Sequence, residues 1–271
     1  MDLTFTTNEL EIYVLTHKKI TENYDNTLYK PIVNGSALSN EDFGYLRDDI
    51  GENISKLNPY FAELTGQYCV WKNSKANIIG FCHYRRWFVK NIFFNKLNKE
   101  DICTDLQKND IILPQKTRLL NTVKETIQKD LIDKPNYGPK IKDYEKLESY
   151  IKKNYYEYYP SFKKIMNGKE IYNNNMFICS KEIANDYFNW LFTLFDGFKK
   201  ELDLDKYPKN NKRVFGFFSE LLLTVYVKKN NLKIKEHYIY LNERKLPILH
   251  IINRRFPSAI LIEKKISRHN K

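Results

Sequence analysis

Short apolar runs that end in polar or basic residues alternate along this chain with longer stretches of helical periodicity. The first run, from Glu11 to Leu15, is followed directly by Thr16, His17 and Lys18. A run of this length and composition is typical of a buried strand. Similar runs predict strands at residues 29–33, 78–82, 110–114, 176–179, 232–241 and 246–252. Strands that alternate with helices predict an α/β fold with a mostly parallel central sheet.

Two helices are predicted from apolar faces that follow a recognisable start signal. Asn58 is suited to the N-cap and Pro59 to the first turn of a helix that we expect to end near Asn73. Ser180 is the predicted N-cap of a second helix with a broad apolar stripe. We expect that stripe to pack in the core rather than to bind a cofactor, because such periodicity is usual for a helix that covers a sheet.

A third helical stretch, over residues 213–227, is almost entirely apolar, and its conspicuous charges are Arg213 and Glu220. Burial of Glu220 among apolar neighbours should raise its pKa unless a cation pairs with it. A carboxylate with a raised pKa is suited to take a proton from a substrate hydroxyl. A buried structural ion pair is the alternative, and the sequence leaves both interpretations open.

The organisation of the chain predicts one domain over residues 1–252 and a basic tail over residues 253–271. Residues 122–168 are rich in Lys, Tyr and Glu and predict a helical insertion that covers one side of a cleft. The tail is a candidate for peripheral membrane contact, with a solubilising role as the alternative. The absence of a secretory signal, of a long apolar span and of paired cysteines predicts a cytoplasmic protein, with the inner face of the cell membrane as a candidate location.

The chain carries a formal net charge of +12, from 45 Lys and Arg against 33 Asp and Glu. Such a charge favours phosphorylated ligands, anionic membrane surfaces or nucleic acid as partners. No zinc-binding spacing, RNP-type sequence or basic zipper accompanies it, so we rank nucleic acid last. The chain also lacks the GxGxxG, GxxxxGK[ST], GxSxG and HExxH motifs, which argues against dehydrogenases, P-loop NTPases, serine hydrolases and zincins.

The most informative segment is the predicted strand that ends in His83, Tyr84, Arg85 and Arg86. Ligands of open α/β sheets bind just outside the carboxyl ends of the strands. Arginine side chains at that position offer charge and paired donors that match a phosphate group. The segment therefore predicts a phosphate site, with a basic surface turn as the alternative.

Several other segments accompany this one in a recognisable order. They are residues 12–18, 44–55, 58–65, 70–73, 80–88, 174–177 and 213–220. In that order and spacing the chain resembles a bacterial family of capsular and exopolysaccharide biosynthesis proteins, catalogued as the domain of unknown function DUF4422 and now grouped with glycosyltransferases. The resemblance extends over roughly residues 11–240 and leaves out the basic tail.

The resemblance implies a nucleotide-sugar-dependent glycosyltransferase built as a GT-A-like single α/β domain. Some relatives are similar to galactofuranosyltransferases that use a UDP-linked donor. The sugar implied for this chain is therefore galactofuranose or galactose, transferred from a UDP-sugar to a glycan or lipid-linked acceptor of bacterial surface-polysaccharide synthesis.

The same resemblance raises the question of a metal. Most GT-A enzymes hold a divalent cation through an Asp-x-Asp motif after a central strand, and here residues 83–86 stand at that position without a carboxylate pair. Their arginines are candidates to neutralise the leaving diphosphate instead. Asp48 and Asp49 are candidate ligands for Mn²⁺ or Mg²⁺ from another loop, so the metal ligands remain unknown.

The candidate site residues fall into three groups. Candidate donor-binding residues are Thr16, His17, Lys18, Arg47, Asn53, His83, Tyr84, Arg85 and Arg86. Candidate catalytic residues are Glu220, Asp48 and Asp49, and candidate acceptor contacts are Asn175 and Arg213. Glu63 is left unassigned, because a helix-borne carboxylate off the apolar face is usually solvated. Two alternatives remain: a phosphotransferase or other nucleotide-sugar-processing enzyme, which would share the phosphate site, and a nucleic-acid-binding protein, which would explain the charge.

Overall fold

The computed structural model describes residues 9–91, 93–133, 138–207 and 212–241. The strands within these ranges are β1 (Leu10–Thr16), β2 (Tyr29–Val33), β3 (Leu46–Arg47), β4 (Ile78–His83), β5 (Arg86–Val89), β6 (Ile111–Pro114), β7 (Thr117–Arg118), β8 (Glu170–Ile171), β9 (Phe177–Ser180) and β10 (Ile234–Leu241). The α-helices are α1 (Asn58–Phe61), α2 (Leu64–Asn73), α3 (Lys99–Leu106), α4 (Val123–Asp133), α5 (Ile141–Asn154), α6 (Tyr159–Met166), α7 (Lys181–Phe198) and α8 (Val214–Lys229).

An eight-stranded sheet in the order β3-β2-β1-β4-β5-β10-β6-β9 forms the centre of the fold, and β9 also pairs with β4. The pairings of β1 with β2 and β4, of β2 with β3, and of β6 with β10 are parallel. Those of β5 with β4 and β10, and of β9 with β4 and β6, are antiparallel. The predicted α/β class is confirmed, but the sheet is mixed and the expected mostly parallel arrangement is not confirmed.

The basic segment turns out to be the turn of a β-hairpin. His83 at the end of β4 pairs antiparallel with Arg86 at the start of β5. Tyr84 and Arg85 connect them, and the buried Trp87 continues the returning strand. The hairpin forms because the apolar run after the arginines is long enough to pair with β10 on its other side.

The helix predicted over residues 58–73 is interrupted at Ala62, whose φ of 51° and ψ of −127° are incompatible with a continuous helix. Asn58 lies inside α1 rather than at its N-cap, so the predicted capping role is wrong. Its side-chain Nδ2 instead donates to the carbonyl oxygen of Ala62 at 2.9 Å and to Oγ1 of Thr65 at 3.1 Å. These hydrogen bonds stabilise the break and leave Glu63 between the two helices.

Successive residues of β1 enter apolar cores on opposite faces of the sheet, as the period-two geometry of a strand requires. Tyr13 and Leu15 pack in one core, and Ile12 and Val14 pack in the other. The predicted stripe of α7 is buried in the first core, which confirms its packing role. Its members are Tyr187, Trp190, Leu191, Leu194, Phe195 and Phe198.

Helices α4, α5 and α6 lie between β7 and β8 and occupy the segment predicted as a helical insertion. The predicted strand at residues 246–252 and the basic tail lie outside the described residues. Among the helices that the structure describes, none is both long and apolar enough to cross a membrane.

Candidate functional site

A cavity of about 330 Å³ opens where the carboxyl ends of β1 and β4 meet the α1–α2 break and the start of α8. These elements converge because β1 and β4 are parallel neighbours, with Leu15 beside His83, so both strands end at the same edge of the sheet. The residues that line the cavity are Leu15, His17, Asn34, Asn58, Ala62, Glu63, His83, Tyr84, Arg85, Arg86, Asn174, Arg213, Gly216, Phe217 and Glu220.

The hairpin segment supplies two of the arginines that line the cavity, and Arg213 is a third. Arg85 and Arg86 are both half-buried there. Burial and the neighbouring charge of Arg85 lower the pKa of Arg86, while the carboxylates of Glu220 and Glu63 act in the opposite direction. Because the ordinary pKa of a guanidinium lies far above neutrality, Arg86 keeps its proton near pH 7 despite this lowering. The cavity therefore presents a permanent cation opposite two carboxylates.

Tyr84 at the tip of the turn joins the two strand ends. The ring of His17 meets the Tyr84 ring edge-on, with 5.1 Å between centroids. The ammonium group of Lys18 lies 4.7 Å from the centre of the same ring, and the Arg85 guanidinium lies 5.8 Å from it. Both distances fall within the range of cation–π contacts. The predicted residues after β1 and after β4 are thus brought together at the cavity mouth.

His83 lacks the free N–H donor that a phosphate-binding histidine needs. Its Nε2 lies 2.6 Å from the carbonyl oxygen of Asn174, so this nitrogen donates the hydrogen bond. Burial and the positive charge of Arg86 lower the pKa of His83 to about 4, although Glu63 acts to raise it. The imidazole is therefore neutral near pH 7, and Nδ1 is left as an acceptor. An acceptor can receive a hydroxyl proton but cannot donate to a phosphate oxygen, so we assign no phosphate contact to His83.

Glu63 is the carboxylate that sequence reasoning missed. It is 8% exposed, and its Oε2 lies 3.4 Å from Nη2 of Arg213. Nδ2 of Asn175 donates to Oε1 of Glu63 at 2.8 Å and to the carbonyl oxygen of Gly216 at 3.0 Å. Burial acts to raise the pKa of Glu63, but its electrostatic interaction with His83, the positive charge of Arg213 and the Asn175 hydrogen bond lower it overall. Glu63 is therefore an anion in the wall of the cavity.

Glu220 faces the same space from α8. Burial and the negative charge of Glu63 raise the pKa of Glu220 to about 7, while Arg86 acts to lower it. A group with this pKa is partly ionised near neutrality and exchanges protons at little free-energy cost, as a general base must. The expectation that burial raises its pKa agrees with this environment. Arg213, the other predicted charge of this helix, instead pairs with Glu63.

The loop predicted to hold Asp48 and Asp49 does not reach the cavity. Asp48 is fully buried, and its carboxylate accepts hydrogen bonds from the backbone N–H groups of Gly35 at 2.7 Å and Ser36 at 2.9 Å and from the Ser55 hydroxyl at 2.5 Å. Arg47 does not contact the cavity either. Its Nη2 and Nε donate to the two carboxylate oxygens of Asp49 at 2.8 and 3.1 Å. These contacts give the loop a structural role, and we no longer propose Asp48 or Asp49 as the base.

Three other predicted site residues do not line the cavity and form hydrogen bonds elsewhere. Thr16 is buried, and its hydroxyl donates to the carbonyl oxygen of Lys18 at 2.6 Å. Asn53 closes a turn, with Nδ2 donating to the carbonyl oxygen of Gly51 at 3.0 Å. Asn175 is 1% exposed and contacts Glu63, so it orients a cavity residue rather than facing an acceptor.

Whether a divalent metal could bind here depends on which carboxylates are available as ligands. Within residues 9–91, 93–133, 138–207 and 212–241, no group of three or more His, Cys, Asp or Glu side chains is arranged to hold a metal ion. Asp48 already accepts three hydrogen bonds, and Asp49 is paired with Arg47. The donor set proposed for Mn²⁺ or Mg²⁺ from this loop therefore does not fit.

Two comparisons with known proteins bear on the site. Residues 11–231 match a family described as a domain of unknown function, DUF4422. The fold is similar to that of WbbM, described as a bifunctional glycosyltransferase and solved in its apo form, with a TM-score of 0.75 and 30% sequence identity. That match covers 88% of this chain and 46% of the WbbM chain, so this chain spans less than half of its neighbour. No curated protein matches this chain.

Proposed function

Because the chain belongs to the DUF4422 family and shares its fold with a bifunctional glycosyltransferase, we propose that it transfers a sugar from a nucleotide-sugar donor to a glycan acceptor. One observation carries this proposal. In a single cavity the arginines of the β4–β5 turn share the space with Glu220, a carboxylate with a pKa of about 7. A leaving diphosphate needs cationic partners and an attacking hydroxyl needs a base, and this cavity offers both.

The donor diphosphate binds at the hairpin turn in this proposal. Arg85 and Arg86 are half-buried there, and a guanidinium can donate two parallel hydrogen bonds to one phosphate. Tyr84, with His17 and Lys18 packed against its ring, forms the mouth of the cavity and is placed to contact the nucleoside.

The chemical step is a direct displacement at the anomeric carbon. Ionised Glu220 accepts the proton of the acceptor hydroxyl while the hydroxyl oxygen attacks that carbon. The bond between the anomeric carbon and the phosphate oxygen breaks, and its electron pair leaves with the nucleoside diphosphate. Arg85 and Arg86 stabilise the added negative charge, and the transferred sugar inverts its anomeric configuration.

The finer assignments extend the same proposal. We propose a GT-A-like enzyme that uses a UDP donor carrying galactose or galactofuranose and acts in capsular polysaccharide synthesis at the inner face of the cell membrane. The resemblance of the sequence motifs supports these points, and the membrane contact depends on the basic tail, which lies outside the described residues. No step of the mechanism is routed through a metal, because Asp48 and Asp49 are engaged elsewhere.

The donor site is tested by calorimetric titration of UDP into the wild type and into Arg85→Ala and Arg86→Ala. Each substitution removes one charge-assisted contact, so we expect UDP affinity to fall by about 10-fold or more. Arg118→Ala is the matched control, because Arg118 is exposed and pairs with Glu170 on the small sheet. Unchanged UDP affinity in both turn variants would show that the phosphate assignment is wrong. Mass spectrometry of the products with UDP-galactose separates sugar transfer from phosphoryl transfer.

A further inference from the structure

A second cavity, of about 270 Å³, adjoins at Glu220 the cavity that contains the β4–β5 turn, which we call the donor cavity. Glu220 and Phe217 line both cavities, and they are the described residues that the two linings have in common. Both side chains project from α8, whereas the far wall of the second cavity comes from α4 and the start of α5. The predicted helical insertion thus encloses a space that the donor site does not use.

The chemistry of this second cavity differs from that of the first. Its walls are mainly apolar, with Val123, Ile127 and Leu221 among them, and Thr126 and Asn173 add polar groups. No Lys, Arg or His is among the described residues that line it, whereas Asp130 and Glu220 contribute carboxylates. An anionic ligand would meet negative charge and no cation among these described residues, so they do not favour a phosphate. Apolar walls with a few hydrogen-bonding groups suit a neutral small molecule.

The volume and the aromatic lining of the second cavity further restrict the class of ligand that fits it. At about 270 Å³ the cavity lies at the small end of ligand pockets, whose usual volumes begin at about 300 Å³. A space of this size suits one sugar ring rather than an oligosaccharide. Tyr144 is buried at the cavity, and burial together with the nearby charge of Glu220 raises its pKa, which keeps its phenol neutral. The Phe217 ring packs close to Gly138, where a Cβ would lie 3.3 Å from it. The cavity therefore offers aromatic surface beside hydrogen-bonding groups, as a sugar with apolar and hydroxyl faces requires.

We propose that the second cavity is the acceptor site and that it binds a neutral, non-phosphorylated sugar ring, with one hydroxyl directed at Glu220. This assignment rests on the proposed glycosyltransferase function and adds to it the place and the charge class of the acceptor. Any phosphate of a lipid-linked acceptor lies outside the cavity. Of the two residues expected to contact the acceptor, Arg213 pairs with Glu63 in the wall of the donor cavity, and the buried Asn175 donates a hydrogen bond to Glu63.

The test is saturation-transfer NMR with methyl glycosides of galactose, glucose, mannose and N-acetylglucosamine, each at ~10 mM to detect millimolar binding. We expect the wild type to bind at least one of them, and excess pyrophosphate or UDP to leave that signal in place. Thr126→Trp fills the cavity and should reduce the signal by about 10-fold, whereas Gln128→Trp, at an exposed position of the same helix, should retain it. Asn173→Ala is a milder change that should weaken binding several-fold without any risk of overpacking.

Each outcome decides the assignment. Absence of signal from every glycoside in the wild type would overturn it, as would an undiminished signal in both Thr126→Trp and Asn173→Ala. Displacement of the glycoside by pyrophosphate would place the sugar in the donor cavity instead. Failure of the proposed function gives a different result: UDP and UDP-sugars would not bind, while the glycoside signal and its loss in Thr126→Trp would persist.

Discussion

Replacing Glu220 by Gln should abolish most of the activity and at the same time stabilise the protein at alkaline pH. The two effects have one physical origin, which is the cost of placing a negative charge at this buried position beside Glu63. Gln has the shape and neutrality of the protonated acid but cannot accept the proton of the acceptor hydroxyl. We therefore expect kcat to fall by about 10²–10⁴, the usual contribution of a general base.

The size of the stability effect follows from the pKa. Folding raises the pKa of Glu220 from 4.5 to about 7, and at about 1.4 kcal/mol per tenfold this corresponds to ~3 kcal/mol. Between these values the folded state binds the proton more tightly than the unfolded state does, so the free energy of unfolding falls as pH rises. The loss is absent at pH ~4, where both states are protonated, and complete above pH ~8, where both are ionised.

The measurement is thermal unfolding of the wild type and Glu220→Gln across pH 4 to 8.5, followed by circular dichroism. The variant should unfold at the wild-type temperature at pH ~4 and roughly 5–10 °C higher at pH ~8.5. Glu145→Gln, at an exposed position of α5, is the matched control and should show no such divergence. In parallel, the wild-type kcat/KM should rise with pH, reach half its maximum near pH ~7 and level off above pH ~8 as Glu220 ionises.

Two results would refute this reasoning. Equal unfolding temperatures for the wild type and the Gln variant at pH ~8.5 would mean that the charge of Glu220 is fully compensated in the folded protein. Wild-type turnover in a folded Glu220→Gln would mean that another group accepts the proton, even if the stability effect is present.

Two further predictions concern the carboxylates and the metal question. Asp48→Asn should lower the free energy of unfolding by about 2–3 kcal/mol, because a buried acceptor of three hydrogen bonds loses its charge. Asp49→Asn should lower it by less than ~1 kcal/mol, because Asp49 lies in a partly exposed pair with Arg47. Denaturant titration of both variants measures the difference, and equal effects would contradict the structural role of Asp48. Treatment with EDTA should change the transfer rate by less than about twofold, because in the proposed mechanism arginines neutralise the diphosphate. A large loss that Mn²⁺ restores would contradict that assignment.

The fold was predictable where the pattern of apolar residues is local. The apolar run of β1 and the stripe of α7 follow from sequence periodicity, and both are buried as expected. The direction of β5 was not predictable in the same way, because Trp87 and Phe88 would be apolar in a strand of either direction. Its antiparallel pairing with β10 depends on residues that are far apart in the sequence, so no short segment predicts it.

The site was predictable where consecutive residues follow a strand. Tyr84, Arg85 and Arg86 had to lie at the carboxyl end of β4 once that strand was recognised, and they line the cavity. Glu63 was missed because the break at Ala62 interrupts a sequence with good helical periodicity. Asp48 was predicted as a candidate catalytic residue, although its carboxylate is buried in the loop. A loop carboxylate that accepts backbone hydrogen bonds has the same local sequence as one that binds a ligand.

The charges of the two cavities link departure of the diphosphate to proton transfer. Arg86 holds the pKa of Glu220 down, and the same guanidinium is the proposed partner of the diphosphate. As the bond to the anomeric carbon breaks, negative charge grows on the phosphate beside Arg86, so less of the positive potential of Arg86 remains to stabilise ionised Glu220. The affinity of Glu220 for a proton therefore rises as the acceptor hydroxyl must lose one. Placing the base between a donor cavity lined by arginines and an acceptor cavity whose described lining contains no cation makes each half of the displacement favour the other.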